Sequence, residues 1–170
     1  AEAAGEKEQE KILKAQRTQQ RTEAVNGLNA ALKELEAQYT NTLSSIEKPI
    51  APEGSEIDEE SINAYHDQLL ANYQFEYDAY AEMTRQKIAV LEDFIATQKE
   101  AGQDTLAQEA EISKLRANQA KEYKKLIDAQ NADDKQRTKQ LKANFNTQLS
   151  AYSNLMGSMA ELFEENTVAY

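Results

Sequence analysis

The chain has 170 residues with five glycines, two prolines and no cysteine; 40% of it is hydrophobic, its mean hydropathy is −0.79 and its net charge is −11. Thirty acids against nineteen bases argue against binding a nucleic-acid backbone, and the missing cysteines exclude disulfides and thiolate metal sites. Sparse Gly and Pro beside abundant Ala, Glu, Gln, Lys and Leu predict an all-α fold, in which long helices form an antiparallel helical hairpin or coiled coil.

Residues 6–24 are helix-prone, but only Ile12 and Leu13 could anchor them. From Val25 a stripe firms up through Leu28, Leu32, Leu35, Tyr39, Thr42 and Ile46, spaced alternately by three and four residues as one helix face requires. Asn26-Gly27 can mark a turn, yet the stripe keeps its phase across it, which predicts an unbroken helix. Pro49 and Pro52, with Gly54, make the clearest break in the chain, at 48–56. Ser55 or Asp58 caps the next helix, and Glu56, Asp58, Glu59 and Glu60 suit its positive end.

The second helix carries Ile62, Leu69, Tyr73, Tyr77, Tyr80, Ile88, Leu91 and Ile95, a set matched better by an eleven-residue repeat (62, 73, 84, 95; 69, 80, 91; 66, 77, 88) than by a heptad. Tyr65, Phe75, Met83, Val90 and Phe94 flank this stripe, so the buried face is wide enough for more than one neighbour. Gly102 followed by Asp104 predicts a tight turn at 101–103 and hence antiparallel neighbours. The third helix then carries Leu106, Ile112, Leu115, Tyr123, Leu126 and Ile127, and passes a polar patch, 131–134, where a kink is expected. Beyond it, Thr138, Leu141, Phe145, Gln148, Tyr152, Leu155, Met159 and Leu162 form a heptad seam. The expected bounds are 6–47, 58–100 and 104–165, within one elongated helical region spanning 1–170.

Helices one and two have similar lengths, so on an antiparallel bundle neither covers helix three past about residue 146, and the apolar residues beyond it are left over. An uncovered stripe of that size marks an interface. The expected helix-packing and self-association residues are Leu141, Phe145, Leu149, Tyr152, Leu155, Met159 and Leu162.

Sites of chemistry are not expected. The glycines are too scattered for a phosphate-cradling loop. His66 is the only histidine and reads as a partly exposed helix residue, since Asp67 beside it points elsewhere on a helix. The adjacent acid pairs, such as Glu92-Asp93 and Asp133-Asp134, read as solvated charge, and the aromatic row Tyr65–Tyr80 as packing. Acids concentrate in residues 49–100, with twelve against three bases, while helix three holds Lys121, Lys124, Lys125, Lys135, Arg137, Lys139 and Lys142, so pairing between the two helices is expected. No cofactor, catalytic residue or metal ligand is assigned. The longest apolar run, about four residues at Ile88–Leu91, is far short of the roughly 20 that span a bilayer. The first residues have no initiator methionine and no basic or apolar leader character, which predicts a piece of a longer protein.

The run from Leu155 to Tyr170, Leu-Met-Gly-Ser-Met-Ala-Glu-Leu-Phe-Glu-Glu-Asn-Thr-Val-Ala-Tyr, resembles a segment of phage tail tape measure proteins of Bacteroidetes phages and prophages. In that family a long polar coiled coil ends in a similar small-Leu-Phe-Gly-Glu-Asn-Thr turn, followed by an alanine-rich apolar helix. Glu164 stands here where glycine is common. The match covers about sixteen residues. The resemblance implies a non-enzymatic structural role in setting tail length. It also implies the tail tube or tail assembly proteins as partners, and a location in the virion tail interior or the host cytoplasm during assembly. It carries over no functional residue. The competing reading is a cellular coiled-coil spacer or adaptor that binds a partner helix.

Overall fold

The structure, a computed structural model, describes residues 1–54 and 57–168, the last four of these by their backbone only. Ser55 and Glu56, the alternative cap and a first-turn acid, lie outside the described residues. So do Ala169, Tyr170 and the side chains of residues 165–168, which carry the end of the tape measure resemblance. The fold is all-α, with α1 (Glu2–Ser44), α2 (Glu59–Glu100) and α3 (Leu106–Val168), and no strand among the described residues.

Local chemistry accounts for the ends of these helices. At the end of α1 the Ser44 and Ser45 hydroxyls donate to the Asn41 and Thr42 carbonyls, each at 2.7 Å, occupying acceptors that a helix terminus leaves open. Asp58 caps α2: its carboxylate accepts the Ser61 amide at 2.6 Å, and its own amide donates to the Ser61 hydroxyl at 3.0 Å. Those bonds to the ionised carboxylate, the Ser61 amide first, hold Asp58 below the usual carboxylate range.

Gly102 ends α2 with φ +71°, a conformation glycine adopts without steric cost. Its amide donates to the Lys99 carbonyl at 3.0 Å and that of Gln103 to the Gln98 carbonyl at 2.8 Å, the paired bonds of a Schellman turn. α3 starts at Leu106, two residues after the expected 104. Thr105, not Asp104, holds the cap position and is buried, while the Asp104 carboxylate accepts the Leu106 amide at 3.0 Å.

Gly27 sits inside an unbroken α1, where an added Cβ would meet nothing within 4 Å. It therefore carries only the backbone cost of about 1 kcal/mol relative to alanine. α3 stays helical through the polar patch at 131–134.

The chain divides into two compact units, and α2 and α3 contribute to both. The first comprises Ala1–Ile46 and Glu76–Lys124. Its core is Leu28, Leu91, Phe94, Ile112 and Leu115, with Val25, Leu32, Ile88, Val90 and Ile95 packed around them. All three helices meet there. α1 runs antiparallel to α2, since Arg21 donates to Gln98 at 2.7 Å, Glu36 meets Lys87 at 2.8 Å and Tyr39 lies edge-on to Tyr80. α2 runs antiparallel to α3 through Lys99–Glu109, Glu92–Arg116 and the Tyr77–Tyr123 ring pair. In α1, residues 2–20 are helical yet exposed throughout, Ile12 and Leu13 included.

Tyr73, Tyr77 and Tyr80 are half-buried, so the aromatic row packs at the margin of the core; Phe75 is exposed. Of the apolar residues expected on the third helix, Ile112, Leu115 and Leu126 are buried, but Leu106 and Tyr123 stand largely in water.

The second unit comprises Glu47–Phe75 and Lys125–Tyr170. Its buried side chains include Ile62, His66, Leu126 and Asp133. The segment between α1 and α2 is tied to α2 by Asn72, whose side-chain amide donates to the Glu47 carbonyl at 2.9 Å.

Candidate functional site

Two features of the second unit stand out chemically: a buried polar cluster around the single histidine, and an apolar face on the last part of α3.

His66 is 0% exposed, which overturns its reading as a partly exposed helix residue. One turn beyond Ile62 on α2, it reaches two residues of α3. Its Nδ1 lies 2.6 Å from Asp133 Oδ1 and its Nε2 lies 2.6 Å from Gln140 Oε1. Asp133 and Gln140 are seven residues apart, two helical turns, so both sit on the α3 face turned toward the ring. The Tyr65 ring lies edge-on to the imidazole at 5.2 Å. One residue along α2, the mostly exposed Asp67 accepts from Arg137 at 2.7 Å. Arg137 is thus one base of the α3 cluster that pairs with an acid of α2.

This cluster has the residue types of an acid–base site without the access one requires. Both ring nitrogens are engaged, and the imidazole has no exposed surface on which a substrate could meet it. Its evident work is to fix the register of α2 on α3, since only one alignment gives a buried imidazole two oxygen partners. The signal was present in the sequence: the eleven-residue register groups 66 with 77 and 88, next to the core positions. Chemical type, an ionisable ring between polar neighbours, obscured it.

Asp133 is likewise buried, not solvated as its adjacent-acid reading had it, and its Oδ2 and the Arg137 Nε are buried without a hydrogen-bond partner. Among the described residues no group of three or more His, Cys, Asp and Glu side chains could hold a metal ion, and no helix is long and apolar enough to cross a membrane.

The groove beside the 51–54 segment, lined by Pro52, Gly54, Ile57, Ile62, Asn144 and Thr147, brings together no titratable groups among the described residues. In the first unit, a shallow cleft at Asp78, Glu82, Arg85, Glu92 and Arg116 is richer in charge. There the Arg85 guanidinium, 2.6 and 2.9 Å from the two Glu82 oxygens, pushes that carboxyl down to about 2. Both side chains are exposed and spaced three apart on one helix, the ordinary geometry of a surface pair.

The apolar face is the other candidate. Leu141 is half-buried, whereas Phe145, Leu149, Tyr152, Leu155, Met159 and Leu162, together with Met156 and Phe163, are 44 to 70% exposed. Eight large apolar side chains in nineteen residues of one helix are more than scattered surface apolars. Between Lys142 and Glu161 the helix holds no charged residue at all. No protein-family model, curated protein or solved structure matches the chain.

Proposed function

We propose that this chain is a non-enzymatic structural coiled-coil segment of the tail length-determining kind, acting in the virion tail interior or the host cytoplasm during assembly, and that it associates with copies of itself through the far end of α3. The observation that supports this is the exposed face from Phe145 to Phe163, on a helix of 63 residues. A helix converts residue count into distance at about 1.5 Å per residue, so α3 alone spans roughly 95 Å. Measuring length demands no pocket and no reactive group, and it tolerates a long, polar, alanine-rich sequence of the present kind.

The folded-back packing of α1 on α2 favours a second reading, a cellular spacer or adaptor that binds a partner helix. A hairpin covers only about half the distance its residues could span when extended, which suits a spacer better than a ruler.

Duplicating the α3 segment within the gene that encodes the chain separates the two. A length-determining protein yields tails longer by roughly 95 Å in electron micrographs. Tails of unchanged length would overturn that reading in favour of the spacer.

A further inference from the structure

We infer that the exposed end of α3 docks a second copy of this chain in the antiparallel sense, with the two-fold axis beside Asn154. This rests on the proposed self-association and adds its orientation and register.

Six exposed residues, Phe145, Leu149, Tyr152, Met156, Met159 and Phe163, are spaced alternately by four and three. They form a wholly apolar heptad seam, which places the polar Gln148 on its flank. Reversed against itself, the seam pairs every core layer: Phe145 meets Phe163 of the second copy, Leu149 meets Met159, and Tyr152 meets Met156. The last pair is a sulfur–aromatic contact that a flexible thioether accommodates well. The six seam side chains, each leaving on the order of 100 Å² in water, would bury about 600 Å² per copy, and Leu155 and Leu162 on the flank add part of theirs, approaching the roughly 800 Å² of a standard specific interface.

Parallel pairing would satisfy the seam too, and charge decides between them. Lys139 and Lys142 lie at one end of the uncharged stretch, and Glu161 and Glu164 at the other. A parallel copy sets lysines beside lysines and glutamates beside glutamates. In the antiparallel register Glu164 of the second copy falls level with residue 144, about 3 Å along the axis from Lys142. The same asymmetry argues against a bilayer as occupant, because the polar side of this stretch presents Ser, Asn, Gly and Thr, with no basic residue to hold lipid headgroups.

The absence of cysteine makes the test clean. Asn146→Cys and Ala160→Cys variants of the full chain are prepared separately, mixed in equal amounts and oxidised, while light scattering records the mass of the parent at tens of micromolar. The expected result is a parental dimer, disulfide-linked dimers abundant in the mixture, and several-fold fewer in either variant alone. In a parallel pair the two positions stand fourteen residues, or about 21 Å, apart along the axis and cannot bridge. A parental dimer without enrichment of links in the mixture would overturn the orientation and leave self-association standing. A monomeric parent would overturn self-association itself, and flotation of that monomer with phosphatidylcholine vesicles would assign the face to a bilayer instead. Reversing charge with Lys139→Glu and Lys142→Glu should raise the dimer dissociation constant several-fold. Adding Glu161→Lys and Glu164→Lys to the same chain should restore it; no restoration counts against the antiparallel register.

Discussion

Removing the imidazole of His66 should destabilise the second unit far more than loss of a surface residue. In His66→Ala the Asp133 carboxylate, 5% exposed and with its Oδ2 already unpartnered, loses the bond to its Oδ1, and Gln140 Oε1 loses its contact as well. Leaving a buried hydrogen-bonding group without its partner costs about 1–3 kcal/mol, here for two groups, and the empty ring volume adds to this, so a loss of about 4 kcal/mol is expected. Replacing both partners is the sharper experiment. His66→Leu with Asp133→Leu removes the orphaned polar group along with the ring, and such paired apolar replacements are often close to neutral. The double variant should therefore be more stable than either single one, with a coupling of about 2 kcal/mol or more. The assay is urea unfolding, with amide hydrogen exchange on residues 59–75 and 125–145 to locate the loss, because the two units need not unfold together. If His66→Ala stays within about 1 kcal/mol of the parent, or the double variant costs as much as the two singles added, the cluster does not hold α2 in register on α3.

Three further outcomes are expected. Thr84 is 0% exposed and its hydroxyl has no partner, so Thr84→Val, which keeps the shape, should raise stability by about 1 kcal/mol in denaturant melts; a loss would mean that the hydroxyl is satisfied in solution. Tyr77→Ala should cost about 2 kcal/mol, the low end for large-to-small changes, because the ring is half-buried against Tyr123; an unchanged melt would show that this margin of the first unit contributes nothing. The Lys87 ammonium, first by hydrogen bonding and then by charge, lowers the Glu36 carboxyl below its ordinary value, so their pairing stabilises the fold above that value and is lost as pH falls through the lowered one. With Glu36 mostly exposed the effect is at most about 1 kcal/mol, and Glu36→Gln should remove it at pH 7 while leaving stability at pH 2 unchanged.

What the sequence determined by itself is whatever depends on neighbours a few residues apart. Three- and four-residue spacing from Val25 to Ile46 is enough to define the inward face of α1; Leu28 is buried and Thr42, its weakest member, is exposed. Pro49 and Pro52 cannot continue a helix, Asp58 answers the free amides of the next one, and Gly102 alone takes a positive φ cheaply where the chain reverses. Hairpin order follows from those breaks, because a short turn leaves two long helices nowhere to go but side by side.

Only tertiary structure decided which polar residues go inside. His66, Thr84, Lys87, Gln98 and Asp133 occupy buried positions at the helix contacts. Periodicity marks where such a face lies, whereas burial of a polar group depends on a partner far away in sequence. For His66 the partners are 67 and 74 residues distant. Exposure of the seam beyond Phe145 belongs to both levels. The apolar spacing and a length comparison point to it, but its extent is set by where α2 begins, at Glu59, and by how the chain before that point packs against α3.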